Sequence, residues 1–204
     1  MSRKRLFLLA FIAVIVGGLV YYSTLSKRVE ETRVAEGEVL LPLPKLEGGV
    51  SVEEAIAKRR SVREYLDEPL TVEQLAQILW AAQGITDVSR EFRAAPSAGA
   101  TYPLKIYVVA GERGVIIDED EYLEAGVYEY NVERHSLILV KGGDFRKDLM
   151  KAALAQSWIL EAPVDLVIVA NYERTTTRYG ERGIRYVHME AGHVGQNVYL
   201  QAVA

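Results

Sequence analysis

Four cations and a hydroxyl group lie within six residues of one another, in the run Lys58-Arg59-Arg60-Ser61-Val62-Arg63. Guanidinium, ammonium and hydroxyl groups all donate hydrogen bonds to phosphate oxygens, so closely spaced donors of this kind can hold the phosphate of a nucleotide or a flavin. The run also follows a helix signal, and the helix dipole favours cations at a helix C-terminus. A phosphate site and a solvated helix end are therefore the two interpretations of this segment.

A second candidate segment is a loop of small residues, Ala95-Pro96-Ser97-Ala98-Gly99-Ala100-Thr101-Tyr102-Pro103. Small side chains let the backbone approach a flat ligand closely. Ser97 and Thr101 add hydroxyl groups to this surface. The alternative interpretation is an ordinary turn-rich loop before a strand.

A third candidate segment concentrates arginine and tyrosine, with Arg178, Tyr179, Arg182, Arg185 and Tyr186 in close succession. Arginine binds anionic or planar ligands, and tyrosine can act as an acid or a base. The alternative is a solvated helix start. Arg178 and Tyr179 are the candidates for catalysis.

A metal site is not predicted, although His188, Glu190 and His193 lie close together in the sequence. On a helix the two histidines lie about 140° apart, which does not match the i, i+4 spacing of a zinc-binding helix. Glu190 and His193 are instead spaced to hydrogen-bond each other, and we expect a satisfied buried pair. His135 is expected at the surface, in a hairpin turn.

The composition of the 204 residues excludes several classes of protein. Cysteine is absent, so there is no disulfide, thiol catalysis or thiolate metal site. The net charge is −4, but residues 1–29 hold five cations and no acid, which leaves the rest of the chain near −9. A domain this acidic is not expected to bind nucleic acid. The motifs of Rossmann dehydrogenases, P-loop NTPases and α/β-hydrolases are also absent.

The N-terminal segment predicts a membrane anchor, because residues 6–22 form an uncharged apolar run preceded by Arg3, Lys4 and Arg5. A cleaved signal peptide is the alternative, but no small-residue cleavage pattern follows. The basic N-terminus favours a domain outside the cytoplasm. We therefore predict an anchor over residues 1–25, a linker over 26–50 and a domain over 51–204.

Helix and strand patterns in the domain indicate an α+β fold, with a mixed sheet flanked by helices. The N-cap signals Ser51-x-x-Glu54 and Thr71-x-x-Gln74 each predict the start of a helix, the second ending near Gly84. Further helices are predicted over 145–160 and from 184 onward. Strands are predicted over 105–110, 126–130, 136–140 and 164–170, the last of the buried type.

Taken in order, the three candidate segments resemble the FMN-dependent nitroreductase superfamily, and most closely its branch of peptide azoline dehydrogenases. The resemblance covers residues 50–204 and includes the later stretch Glu190-Ala191-Gly192-His193-x-x-Gln196-Asn197. It implies an α+β flavoprotein that forms a homodimer with FMN at the subunit interface. It further implies a reduced nicotinamide or an organic substrate as hydride donor, and a small molecule or a peptide as substrate.

The resemblance also implies roles for individual residues. Arg59, Arg60, Ser61 and Arg63 would hold the FMN phosphate and ribityl chain. The flavin would be lined, usually from the partner subunit, by Pro96, Ser97, Ala98, Gly99 and Thr101.

Two departures from the family pattern accompany these roles. Arg178 and Tyr179 match a catalytic Lys-Tyr pair of the azoline branch, but arginine does not serve as a base at ordinary pH. Family members also continue past the final helix with a Gly-rich turn and a strand that contact the flavin. We expect that this sequence is either a fragment of a longer protein or a protein that has lost part of its flavin site. A non-catalytic, membrane-tethered module with the flavin-binding fold is therefore the alternative function.

Overall fold

The computed structural model describes residues 37–204. Within this range, no helix combines the length and the apolar character needed to cross a bilayer. The predicted anchor over residues 1–25 lies outside the described residues.

Residues 37–204 form six α-helices and ten strands. The helices are α1 (Val52–Lys58), α2 (Val72–Gln83), α3 (Arg146–Ala152), α4 (Trp158–Glu161), α5 (Glu173–Tyr179) and α6 (Arg182–Gln201). The strands are β1 (Glu38–Leu40), β2 (Leu70–Thr71), β3 (Ile85–Asp87), β4 (Phe92–Arg93), β5 (Leu104–Ala110), β6 (Val115–Asp118), β7 (Glu121–Tyr122), β8 (Gly126–Asn131), β9 (Ser136–Gly142) and β10 (Val164–Ala170).

The main sheet has five strands in the order β1-β9-β8-β5-β10, and every neighbouring pair is antiparallel. A smaller sheet of β2, β6 and β7 is mixed, because β2 pairs with β6 in parallel. The long helices α2 and α6 pack against each other, and α6 also contacts β5. This is the predicted α+β architecture.

The core lies between this helix pair and one face of the main sheet. Strand β5 contributes alternate residues, since Leu104, Ile106 and Val108 are buried whereas Lys105 is exposed. Helices α2 and α6 add Leu75, Leu79, Val187 and Val194. Burial of these apolar faces fixes α6, which carries or borders most of the candidate site.

Local sequence signals account for the helix starts. The Thr71 hydroxyl accepts the Gln74 amide N–H, and the Gln74 side chain accepts the Thr71 N–H in return. Ser51 caps α1 through the Glu54 amide, but the Glu54 carboxylate pairs with Lys58 instead of returning to the cap. Both helices begin where the sequence predicts.

Three sequence predictions about the fold need correction. The predicted linker contains β1, and Leu41 beside it is buried in the core, so residues 37–50 belong to the same compact unit as the domain. The helix predicted over 145–160 is broken into α3 and α4, because Leu154 and Ala155 have positive φ angles. Strand β10 is the edge strand of the main sheet and is only half-buried.

Candidate functional site

The predicted phosphate-binding residues lie in an exposed, irregular segment that follows α1. The Arg59 guanidinium stacks 5.6 Å from the centre of the Tyr199 ring, and that of Arg63 stacks 5.4 Å from the centre of a ring of Trp158. Among residues 37–204, neither guanidinium forms an ion pair or a side-chain hydrogen bond. The aromatic rings thus support two cations whose N–H groups are available to a ligand, and the Ser61 side chain is exposed between them.

Arg60 differs from its neighbours because its guanidinium is already engaged. Its Nη1 donates to the carbonyl oxygens of Ala57 and Arg59, at 3.0 and 2.7 Å. These carbonyl groups belong to the C-terminal end of α1, where backbone acceptors lack partners within the helix. Arg60 therefore caps the helix, as the alternative interpretation of the basic run proposes for cations at this position.

The loop of small residues forms a compact platform, defined here as residues 96–101. It includes a short 3₁₀ turn over Ala98–Ala100, and the φ angles of Gly99, Ala100 and Tyr102 are all positive. Such backbone conformations are costly for non-glycine residues and persist only where surrounding contacts hold them.

Side chains fasten the platform from within and from both ends. The Ser97 hydroxyl accepts the Tyr102 amide N–H at 2.9 Å, and the hydroxyl oxygens of Thr101 and Thr175 lie 2.8 Å apart. At the start of the loop, Asn197 Nδ2 donates to the Ala94 carbonyl oxygen at 3.3 Å. The exposed surface of the platform consists of small groups, which allow a flat ligand to approach the backbone.

The candidate catalytic residues meet this platform at Gly99. Arg178 donates from Nη1 to the Gly99 carbonyl oxygen at 3.2 Å, and Tyr179 packs edge-on against Tyr186 with ring centres 5.2 Å apart. A Cβ atom at position 99 would lie 2.5 Å from Tyr179 Oη. The second and third candidate segments therefore form one site.

Arg59 and the start of the platform loop contact different faces of α6. Arg59 stacks on Tyr199 in the last turns of α6, whereas Tyr179 packs against Tyr186 near its start, and Tyr186 and Tyr199 are about 20 Å apart along the helix axis. Asn197, which donates to the Ala94 carbonyl oxygen before the platform, points about 200° around the helix from Tyr199.

A separate open cleft of about 740 Å³ contains none of the predicted site residues. Its walls include Tyr65, Tyr122 and Arg146, and Asp165 of β10 lies close to Tyr65 and Arg146. Asp165 Oδ2 is buried without a hydrogen-bond partner in the described chain, and burial raises the pKa of this carboxyl to about 7. The sequence carries a signal for this residue, since Asp165 is the one acid in the apolar run 164–170.

Two histidine predictions are wrong. Glu190 is buried, but His193 is exposed and no hydrogen bond joins them. His135 is half-buried rather than a surface residue, because its ring nitrogens contact Tyr130 Oη at 2.7 Å and the Pro42 carbonyl oxygen at 2.9 Å. Burial lowers the pKa of His135.

The fold agrees with comparisons to known proteins. The sequence model of the nitroreductase family matches residues 56–204, and the chain belongs to this family. Proteins of this fold generally bind flavin, and membership supports an oxidoreductase function.

Individual relatives are also named as nitroreductases. A protein of Methanocaldococcus jannaschii named as a nitroreductase is 51% identical over 164 residues, which cover 80% of this chain and 78% of that protein. The crystal structure of a protein from Ralstonia eutropha, also named as a nitroreductase, aligns with a TM-score of 0.67 at 28% identity, covering 84% of this chain and 74% of that one.

A trifolitoxin-processing protein, TfxB of Rhizobium leguminosarum, is 33% identical over 114 residues, or 54% of this chain and 29% of TfxB. This similarity agrees with the resemblance to the azoline dehydrogenase branch.

The residues present fit a flavin mononucleotide. The available guanidinium donors of Arg59 and Arg63, with the Ser61 hydroxyl, match the donors that a phosphate dianion accepts. The platform offers exposed backbone at Pro96 and Gly99, where a planar ring can lie close. The basic segment thus suits the phosphate of such a cofactor, and the platform suits its planar ring.

Proposed function

We propose that this protein is an FMN-dependent oxidoreductase that acts on a small molecule or a peptide. The observation that carries the proposal is the set of available donors at Arg59, Ser61 and Arg63, in a chain that belongs to a flavin-binding family. Bound FMN supplies the hydride chemistry, accepting hydride from a reduced nicotinamide or from the substrate and passing electrons to an acceptor. The protein binds the cofactor and positions acid, base and substrate.

Separate residues carry out these tasks. Arg59 and Arg63 bind the phosphate, while the platform supports the flavin ring. Tyr179 presents a hydroxyl beside Gly99 and can exchange a proton with the substrate. Arg178 orients the platform through the Gly99 carbonyl group, and a guanidinium does not serve as a base at ordinary pH.

A homodimer is part of the proposal, and the exposed apolar surface of the protomer supports it. The outward face of α6 exposes Ile184, Met189 and Tyr199 at 45%, 53% and 45%. Helix α1 adds Val52 and Ile56, which are exposed at 67% and 58%. Apolar surface of this kind favours association, and a second copy would bring its own platform to the phosphate-binding residues of the first.

The choice of substrate rests on two observations that point in different directions. The similarity to a trifolitoxin-processing protein favours a peptide. Arg178 at the position of the expected lysine speaks against azoline oxidation by the mechanism of that branch. We therefore propose a peptide or a small organic molecule as substrate.

Anchoring of the domain outside the cytoplasm is also proposed. It rests on the apolar run over residues 6–22 and on the three preceding cations. Sequencing the N-terminus of the membrane-bound protein tests it. A mature N-terminus near residue 26 would show that the segment is a cleaved signal peptide.

The decisive test of the cofactor compares FMN with riboflavin, which lacks the phosphate. Replacing both Arg59 and Arg63 with alanine should weaken FMN binding by about 1–3 kcal/mol, or roughly 5- to 150-fold, because charge-assisted hydrogen bonds are lost. Riboflavin affinity should not change. The control variant R90A/K147A removes two exposed cations elsewhere and should bind FMN as the wild type does.

Two results would contradict the proposal. If the intact protein does not take up FMN, the proposed cofactor is wrong. If the double variant binds FMN as tightly as the wild type, the assignment of Arg59 and Arg63 to the phosphate is wrong. A reduced nicotinamide should reduce the bound FMN, which is seen as bleaching of the flavin colour. Bleaching supports the enzyme, and no change supports the non-catalytic module.

A further inference from the structure

The Glu190 side chain is buried under the platform, and the proposed chemistry does not use it. It lies on the inner face of α6, between Val187 and Val194, and is only 2% exposed. Its Oε1 atom has no hydrogen-bond partner in the described chain. A buried carboxyl without a full set of partners is costly, so its presence at this position requires a physical reason.

A second buried polar group lies beside Glu190. Gln83, at the end of α2, is 1% exposed, and its Nε2 atom also lacks a partner among residues 37–204. The Gln83 Oε1 atom accepts from Arg93 Nη1 at 3.4 Å. Two adjacent buried groups with unused hydrogen-bonding capacity lie where α2, α6 and the start of the platform loop meet.

The Ser97 side chain lies close enough to the Glu190 carboxyl to act on its pKa, and the 3₁₀ turn of the platform contacts α6. The Ser97 hydroxyl accepts the amide N–H of Tyr102, one of the residues with a positive φ angle. Glu190 is therefore a neighbour of the residue that closes the strained turn. Thr175 and Arg178 hold the far end of the platform, and Asn197 holds the loop before it at Ala94.

The surroundings of Glu190 favour its neutral form. Burial raises the pKa of Glu190, while the Ser97 and Gln83 side chains and the charges of Arg93 and His193 lower it. These four residues come from the platform, from α2, from β4 and from α6 itself, and they are the polar and charged groups that face the carboxyl. A neutral carboxyl can both donate and accept a hydrogen bond in this site.

We propose that Glu190 is a positioning residue that supports Ser97 and so keeps the platform in the conformation that receives the flavin ring. Gln83 completes the support from α2. The inference rests on the proposed flavin function, but the conformation of the platform can be measured without flavin. Ionisation of Glu190 at higher pH places a charge in this buried site and loosens the platform.

The test compares E190A, E190Q and V187A by amide hydrogen exchange in residues 97–102 and by FMN affinity. In E190A the exchange of this segment should rise and FMN should bind about tenfold more weakly, because the support is lost. The neutral amide in E190Q should preserve both properties. V187A removes buried apolar contacts on the same helix face, so it should lower the melting temperature and leave platform exchange and FMN affinity as in the wild type.

A pH series keeps the test decisive if E190A does not fold. Platform exchange in the wild type, taken as a ratio to that in E190Q, should increase as the pH rises, because the glutamine variant cannot ionise. A constant ratio, or an E190A protein that behaves like V187A, would overturn the proposal. If the wild type does not bind FMN, the proposed function fails while the exchange data still decide the role of Glu190.

Discussion

Arg178 donates a hydrogen bond from Nη1 to the Gly99 carbonyl oxygen, and the two atoms are 3.2 Å apart. The contact joins two segments that are 79 residues apart in the chain. It also brings Tyr179 against Gly99, so a glycine, a guanidinium and a phenol share one small volume. A side chain at position 99 would have to displace the ends of the Arg178 and Tyr179 side chains.

The first prediction concerns Gly99→Ala. The φ angle of +62° disfavours alanine, and the new Cβ atom would lie 2.5 Å from Tyr179 Oη and 2.8 Å from Arg178 Nη1. We expect the free energy of unfolding to fall by about 1–3 kcal/mol and FMN binding to weaken as the platform shifts. Chemical denaturation and flavin fluorescence titration measure the two effects.

Gly142→Ala is the matched control, since a Cβ atom at Gly142 meets nothing within 4 Å and its φ angle is not positive. This variant should retain both stability and FMN affinity. If G99A behaves in the same way as G142A, the close approach at the platform has no energetic role.

Features set by neighbouring residues could be predicted from the sequence. The starts of α1 and α2 follow from Ser51 and Thr71, because an N-cap bonds to an amide three residues away. The hairpin of β8 and β9 follows from alternating side chains on each side of one turn. The three candidate segments were likewise recognised from residue type and local spacing.

Features set by distant contacts could not be predicted. Strand β1 lies in a segment that resembles a tether, and it is held by pairing with β9 almost a hundred residues later. The positive φ angles of Leu154 and Ala155 interrupt an apparently continuous helix without a glycine or proline signal. Glu190 has helical spacing to His193, but tertiary packing turns one side chain inward and the other outward.

The second prediction concerns the Tyr179 hydroxyl group. Tyr179→Phe keeps the edge-on packing against Tyr186 and removes only the oxygen. If the hydroxyl exchanges a proton with the substrate, turnover should fall by about 100-fold or more while FMN affinity stays the same. Tyr186→Phe is the control and should retain turnover. Full activity in Y179F would exclude the hydroxyl from the mechanism.

The third prediction concerns the pH dependence of stability. The pKa of Asp165 rises from an ordinary 3.8 to about 7 in the folded protein, mainly through burial. The folded state therefore favours the protonated acid. The stabilisation that protonated Asp165 contributes is complete below pH 4 and is lost as the pH rises towards 7.

Asp165→Asn removes this dependence because the amide does not titrate. At pH 7 the variant should be more stable than the wild type by about 1–2 kcal/mol, a value reduced by solvent screening of a partly buried carboxyl. Below pH 4 the difference should vanish. Denaturant unfolding of both proteins across this range measures it, and a difference that is independent of pH would show that Asp165 titrates normally.

The fourth prediction concerns the outward face of α6. Met189 is 53% exposed on this face, and a charge there would have to be buried if two copies pack together. Met189→Glu should therefore shift the protein towards monomer in sedimentation analysis and weaken FMN binding in parallel, because the partner's platform is lost from the site. Leu154→Glu is the matched control, since Leu154 is 89% exposed on the loop between α3 and α4. A monomeric wild type that binds FMN fully would show that each chain builds its site alone.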